Sequence, residues 1–428
     1  MVAPTRGSAA HRPRVRPARL RRRIIVAGRR TLAWPAGRSN IVAAVAVVLV
    51  ATLLLTSCTG TTVVPSPLVG TGRAPGASAA AGPIGNGDAG PSQFVSAAPS
   101  PTPVPLVPAP TDGVLETPAA AARPVVAVMI DDAPAARPQS GLADADILFQ
   151  APAEGGIPRY MALYQSSAAP VIGPIRSSRR YFVGWAAAWR PLYAHVGGAP
   201  NALAALDAMN GTLVWNADEF RWAAYMPRIT TRVAPHNVYS STAELDALAA
   251  RLGVPAAPPV PWSFVDPAPL AGRPSGGSLV VPYPAGVISY TYDPATDRYL
   301  RSVDGVPEID AGTGARVAPY DVVVMYVAVG PLANAPGQNT NQEKGRLEVG
   351  YTGSGQALVV RDGVAIEARW SKASDAAPLV LTQATGAGAG EPVQLVRGQI
   401  AIQVVPEGTT ITLQVPTTPA AHQAPTPE

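Results

Sequence analysis

The chain has one cysteine in 428 residues, Cys58. That scarcity leaves no partner for a disulfide, no zinc–thiolate set and no CxxC redox pair. The folded part must be held by its core, and the roughly 300 residues beyond position 122 are ample for one or two cores. Lysine is almost missing too, with only Lys344 and Lys372, while Ala, Gly, Pro and Arg are in excess. That bias discounts inferences from any single arginine. Histidine is scarce, and only His195 and His236 lie outside the N-terminal 57 residues and the C-terminal tail. HExxH, GxSxG and Walker-type loops are absent, which removes the standard metalloprotease, hydrolase and nucleotide signatures.

What surrounds the lone cysteine is informative. The uncharged apolar run Ile41 to Ser57 is 17 residues, short of the ~20 that span a bilayer. Arginines crowd the stretch before it, and it ends in Leu55-Thr56-Ser57-Cys58. A charged region, an apolar region and small residues before a cut define a secretory signal. Residues 1–57 therefore read as a lipoprotein signal peptide cleaved before Cys58, whose thiol is then acylated. Arg29-Arg30-Thr31-Leu32 faintly resembles a twin-arginine signal, so the choice between general secretion and twin-arginine export stays open. An uncleaved anchor is the alternative. In both cases the rest of the chain is expected at the outer face of the cytoplasmic membrane.

Charge changes meaning once this segment is set aside. The chain is net +5, but eleven of its 33 basic residues lie in 1–57, where no acidic residue occurs. From Cys58 onward 22 basic residues face 28 acidic ones, a net of −6. A mildly acidic protein is a poor polyanion binder overall, so nucleic acid is not an expected partner.

Residues 58–122 are Pro, Ala, Gly, Ser, Thr and Val with few charges. Such a stretch buries too little apolar area to offset its conformational entropy and is expected to be a disordered tether, with a span of ~40–50 Å. The tail 417–428 is similar. Order is expected from Arg123, where Val125 to Ile130 forms a buried strand ending at Asp131-Asp132. Further strands are expected at Ile147 to Phe149, Tyr160 to Tyr164 and Val171 to Ile175. Helices are expected at Ser178 to Trp189, Asn201 to Met209 and Thr242 to Leu252, the last capped by Ser241 and stopped by Gly253. The fold class is an α/β (or α+β) layered N-terminal domain with a mixed sheet, over 123–260. A proline-rich linker, Pro255 to Gly277, leads to a mostly-β C-terminal domain over 275–416. There Arg361-Asp362-Gly363-Val364 is a hairpin turn.

The polar residues of the first domain gather at strand ends, where ligands bind in open α/β sheets. They are Asp131, Asp132, Arg137, Glu154, Arg176, Arg179, His195, His236 and Asn237. The commonplace alternatives are turn aspartates, a solvated helix start and structural histidines. Yet Arg176, Arg179 and Arg180 near a helix N-terminus oppose its dipole, and an anionic partner would account for them.

Several of these segments resemble the YerB-like family of bacterial lipoproteins. They are Ala136-Arg137-Pro138-Gln139-Ser140-Gly141-Leu142, Glu154-Gly155-Gly156-Ile157 and Gly173-Pro174-Ile175-Arg176-Ser177-Ser178-Arg179. His195-Val196-Gly197-Gly198 and Ala234-Pro235-His236-Asn237-Val238-Tyr239 belong with them. In the second domain Leu347-Glu348-Val349, Thr352-Gly353-Ser354-Gly355 and Arg361-Asp362-Gly363 match too. The resemblance covers most of 123–410, but it implies a domain of unknown function and no activity. The chain departs from the family pattern at Asp132 (Asn there), Pro158 (Thr) and Ala401 (a nearby Trp).

A fainter resemblance, in order and spacing, is to the LytR–CpsA–Psr phosphotransferases. It implies that Asp131, where a strand ends, Asp146, just before a strand begins, and Arg176 correspond to that family's two aspartates and the arginine of its Pro-Arg pair. It also implies that Asp131 helps hold Mg²⁺, and that Arg176 and Arg179 neutralise a lipid pyrophosphate. The arginine-rich motif of that family has no counterpart here.

Three expectations follow for function: a tethered envelope lipoprotein binding an anionic cell-wall glycan or its lipid-linked precursor, a phosphotransferase acting on such a precursor, or a non-catalytic scaffold. All three use the same anchor. Cys58→Ala should abolish acylation and leave an uncleaved precursor on an immunoblot; normal processing of that variant would overturn the lipoprotein assignment.

Overall fold

The computed structural model describes residues 104–333 and 345–414. The signal peptide, Cys58, most of the expected tether and the tail 417–428 lie outside these residues. Among the described residues no helix is long and apolar enough to cross a membrane.

β-Branched runs supply one ten-stranded mixed sheet. Its strands in chain order are β1 (Val126–Asp131), β2 (Ile147–Pro152), β3 (Pro158–Tyr164), β4 (Leu192–His195) and β5 (Trp215–Asp218) from the first region. From the second come β6 (Asp321–Val327), β7 (Gly353–Arg361), β8 (Val364–Lys372), β9 (Val380–Gln383) and β10 (Ile400–Pro406). Across the sheet they lie in the order β9-β8-β7-β6-β10-β2-β3-β1-β4-β5. β1 and β2 are buried at every position, as strands covered on both faces must be. The two sequence regions therefore meet inside one sheet. β10 pairs in parallel with β2, from Ile400↔Ile147 to Gln403↔Gln150, and in parallel with β6 on its other side.

Three helices of seven residues or more cover the first region: α1 (Arg180–Ala186), α2 (Pro200–Met209) and α3 (Thr242–Leu252). α3 forms as its sequence dictates. The Ser241 side chain accepts the Glu244 N–H, and Gly253 closes the helix at φ +65°, the left-handed geometry glycine tolerates. α1 buries Tyr181, Phe182 and Trp185 on one face of the sheet, where Phe149 stacks on Trp185 at 5.5 Å. Burying each such ring stabilises the fold by roughly 1.5–3 kcal/mol. α3 puts Leu245, Leu248 and Ala249 against Val126, Val128 and Ile130 on the other face. A second sheet, of five strands between Ser278 and Leu413, packs Leu279, Val281, Ile288 and Tyr290 on Val322, Val324 and Ala401. The fold is thus a large mixed sheet with few helices, followed by a mostly-strand region. At the expected hairpin turn Asp362 and Gly363 have φ +47° and +74°, and Arg361 pairs with Val364, as a two-residue turn requires.

Three sequence expectations differ from the structure. Order starts before Arg123, so the stretch expected as tether ends sooner: Val107–Pro108 pairs with Leu115–Glu116, and Pro118–Ala121 is a helical turn. Distant partners hold this hairpin, and local composition cannot show them. The Asp112 carbonyl accepts the Gly398 N–H at 3.0 Å, and Arg397 donates to the Gly113 carbonyl at 2.6 Å. The proline-rich linker also joins the fold, because Ser263–Val265 pairs in parallel with Gln394–Val396. Val171 to Ile175 is not a strand. It makes single bridges, Ile172 to Ser240 and Ile175 to Ile130, because cis Pro174 has no N–H to extend a ladder.

The hairpin is clasped through the Ser166 hydroxyl. Ser166 Oγ lies 2.8 Å from Asp112 Oδ2 and 3.1 Å from Asp146 Oδ1, yet a hydroxyl has one hydrogen. Asp146 is otherwise well supplied, by Thr111 Oγ1 at 2.8 Å and the Ser166 and Ser167 N–H groups at 3.0 and 3.2 Å. Ser166 Oγ thus bridges the two carboxyl groups, and a proton held on Asp112 would let both contacts be hydrogen bonds. Burial, then the Asp146 charge, pushes the Asp112 carboxyl up to about 7. A carboxyl whose folded value exceeds its unfolded one stabilises fully at low pH, and that contribution is lost as pH rises from about 4 through 7. Urea unfolding of the wild type should lose on the order of 2 kcal/mol between pH 5 and 8 through this group. Asp112→Asn, neutral at every pH, should remove that part of the slope; an unchanged slope would refute the clasp.

Candidate functional site

Consecutive side chains leave a strand on opposite sides, so Asp131 and Asp132 at the end of β1 enter different surroundings. Asp131 faces a cationic cluster at the carboxyl end of the strand. Its Oδ2 accepts Arg176 Nε–H at 2.9 Å and His236 Nδ1–H at 2.8 Å, and its Oδ1 accepts the Ala133 N–H at 3.2 Å. Arg159, its cross-strand partner on β3, is a third cation. Burial alone would raise the Asp131 pKa. The charges of Arg159 and Arg176 and the bonds from Ala133 and Arg176 outweigh it, and Asp131 stays below the usual carboxylate range.

Backbone pairing brings these groups together from far apart in sequence. The Asp131 N–H bonds the Pro174 carbonyl at 3.0 Å, and the Arg176 N–H bonds Met129 at 2.8 Å. This lays 173–176 alongside β1. The Ile175 N–H bonds Val238 at 2.7 Å, adding the segment that carries His236. Gly173 is needed here, since a Cβ would lie 2.6 Å from the Tyr239 ring. Arg232 donates to the carbonyls of Ala136 and Pro138, both at 2.7 Å, and buckles the His236 loop onto the loop after β1.

Glu154 and Arg179 adjoin this cluster as a two-point ion pair, both bonds 2.6 Å. Arg159 interacts with both and with Asp131. Its Nη1 donates to the Ser177 carbonyl at 2.9 Å, while its buried Nε has no hydrogen-bond partner among the described residues. Burial, then the Arg179 charge, lowers its pKa to about 10, so it stays charged at neutral pH. Two carboxylates thus face three arginines and a histidine. Arg159 and Arg232 were not among the sequence candidates. For Arg159 a signal existed: an arginine inside an apolar strand, directly after the Glu154-Gly155-Gly156-Ile157-Pro158 run.

Asp132 turns inward and leaves the cluster. Arg137 donates Nε–H to its Oδ1 at 2.9 Å, and Gln139 and Gln150 donate at 3.2 and 2.6 Å. Burial pushes its pKa up against the opposing charges of Arg137 and Arg301. The network continues into the second sheet. Arg301, fully buried, donates to Gln150 Oε1 at 2.8 Å and Tyr290 Oη at 3.1 Å, and is paired with Glu308. Asp132 and Arg137 therefore serve a structural joint between the two sheets.

His195 and Asn237 also stand apart from Asp131. The buried His195 ring donates Nδ1–H to the Gly197 carbonyl at 2.7 Å, and its Nε2 lies 2.8 Å from Asn216 Oδ1. Neither nitrogen is free. Asn237 Oδ1 accepts from Arg228 at 3.3 Å, and its backbone carbonyl accepts the Ile229 N–H at 2.8 Å. A cavity of about 370 Å³ lies elsewhere, among Pro108, Pro110, Val260, Trp262, Phe264 and Arg397, and contains none of the candidates. Charge and unfilled donors, not concavity, mark the site.

The Mg²⁺ expectation does not fit these residues. β1 and β2 both run antiparallel to β3, so they run the same way. That puts Asp131, at the end of β1, and Asp146, before β2, at opposite sheet ends, about 20 Å apart at ~3.3 Å per residue. Asp131 is surrounded by cations, and among the described residues no three His, Cys, Asp or Glu side chains converge on a common point. His195→Ala should cost about 1–3 kcal/mol in urea unfolding, from the unpaired Gly197 and Asn216 groups it leaves. The variant should keep the native fold by circular dichroism; unchanged stability would contradict a structural His195.

Comparison with known proteins matches two stretches of the chain to one family. Residues 112–254 match the N-terminal domain, and residues 279–402 the C-terminal domain, of a family described as "Protein of unknown function (DUF3048)". The "Putative lipoprotein YerB" of Bacillus subtilis (strain 168) is 30% identical over 266 residues, covering 58% of this chain and 72% of that protein. The crystal structure of Bacillus subtilis YerB superposes with a TM-score of 0.60 at 26% identity, covering 72% of this chain and 99% of that one. In both its domains the chain belongs to the DUF3048 family, the YerB-like family that its loop motifs resemble.

Proposed function

We propose that the protein is a lipoprotein anchored through Cys58 at the outer face of the cytoplasmic membrane, where it binds an anionic cell-envelope glycan or its lipid-linked precursor. The anchor is supported by the sequence around Cys58 and by the name of the Bacillus subtilis relative. The anion is supported chiefly by one observation. Arg176 gives only its Nε–H to Asp131 and is 27% exposed, beside the buried positive charge of Arg159. Guanidinium donors in surplus over carboxylates suit phosphoryl or carboxylate oxygens. The acidic balance of the chain beyond Cys58 argues against nucleic acid.

The Asp131–His236 contact favours a second reading. A buried carboxylate on Nδ1 fixes the imidazole and leaves Nε2 for proton transfer, which a phosphotransferase acting on a polyprenyl-pyrophosphate-linked glycopolymer would use. Titration calorimetry with inorganic pyrophosphate tests the site itself. Arg176→Ala should weaken binding about tenfold or more, the loss of one charge-assisted hydrogen bond, and Arg159→Met should weaken it in the same direction by removing a buried positive charge. No binding by the wild type, or unchanged binding by both variants, removes both readings and leaves a scaffold. Release of polyprenyl phosphate as the glycan phosphate passes to an acceptor hydroxyl, abolished by His236→Gln, would decide for the enzyme over the binder.

A further inference from the structure

We infer that the excursion from Glu219 to His236, between β5 and α3, is a membrane-contact face that seats on anionic lipid headgroups beside the Asp131 cluster. Among the described residues the two most exposed large apolar side chains are Val233 at 84% and Phe220 at 74%. Both belong to this one segment. Half-buried Trp222 and Tyr225 lie between them, 6.3 Å apart between ring centroids.

The charge of the segment is opposite to that of the chain from Cys58 onward. It holds Arg221, Arg228, Arg232 and His236 against a single acid, Glu219, which Arg228 already occupies at 3.0 and 2.8 Å. Arg232 is spent on carbonyls, which leave its charge uncompensated. The Arg221 guanidinium lies 5.7 Å from the Trp222 ring and has no carboxylate partner among the described residues. Everything beyond Cys58 is net −6. A cationic, aromatic-bearing surface on an acidic protein is complementary to an anionic bilayer, where Phe inserts at the interface and Arg meets the headgroups. A soluble polyanion would match the arginines but not the exposed Phe and Val.

Both apolar tips border the cluster. Phe220 lies against Gly197, with Cε2 3.2 Å from where a Cβ would sit. The preceding Val196 N–H bonds the Arg176 carbonyl at 3.1 Å. The Val233 carbonyl accepts the N–H of His236, whose ring is on Asp131. The inference uses the position of the cluster and not the identity of its ligand.

The test uses the mature chain from residue 58 with Cys58→Ser, so that no acyl group contributes, in co-sedimentation with vesicles. It should bind equimolar phosphatidylglycerol–phosphatidylcholine vesicles and not pure phosphatidylcholine. Phe220→Ser with Val233→Ser should reduce the partition coefficient about tenfold or more, and Arg221→Gln about fivefold. These side chains are on the surface, so the unfolding midpoint and pyrophosphate binding should not change. Arg176→Ala should keep vesicle binding whether or not it loses pyrophosphate, which separates the two proposals. No binding to the anionic vesicles, equal binding to neutral ones, or full binding by the double variant would overturn the inference.

Discussion

A buried guanidinium holds the two halves of the molecule in register. Arg301 has no exposed surface, and reaches from the second sheet to Gln150 on β2 and to Tyr290, Glu308 and the ring of Tyr160. Gln150 in turn holds Asp132 at the end of β1. A buried charge is tolerated only when its donors are met, so each partner of Arg301 is constrained by it. The position of β1, and of the Asp131 cluster at its end, thus depends on a residue from the other half of the chain.

This dependence explains the division of labour between neighbours. Asp131 and Asp132 look interchangeable as a pair of strand-end acids. The pleat sends one to a cluster of cations reached by solvent and the other to an internal joint. The departure from the family pattern at position 132 therefore concerns the joint, where a carboxylate meets Arg137 and two glutamines, and not the candidate site.

Much of the fold was legible from local pattern. The β1 run, α3 with its Ser241 and Gly253 ends, and the Asp362-Gly363 turn all carry their geometry in a few adjacent residues. What escaped was set by distant partners. The hairpin before β1 has a tether's composition but is held by Gly398 and Arg397. The strand Arg298–Val303 escaped because its alternation places Arg301 where an apolar residue is expected. The site divides the same way. Strand-end motifs identified Asp131, Arg176 and His236, which do meet, and Glu154 with Arg179, which adjoin them. They could not tell that His195 is consumed internally, because that depends on Asn216 on the next strand. They passed over Arg159 because burial hides an arginine among apolar neighbours.

The strand that completes the large sheet between β6 and β2 is also the last of its ten in the chain. Until residues 400–406 are available, the edge of β2 has no partner and the second region has no seam to close on. The first region cannot reach its final state by itself, however early it emerges. Assembly waits for nearly the whole polypeptide. A chain emerging from its N-terminus would keep this central edge open longest, and the two motif-bearing regions would become one structure in a single late step.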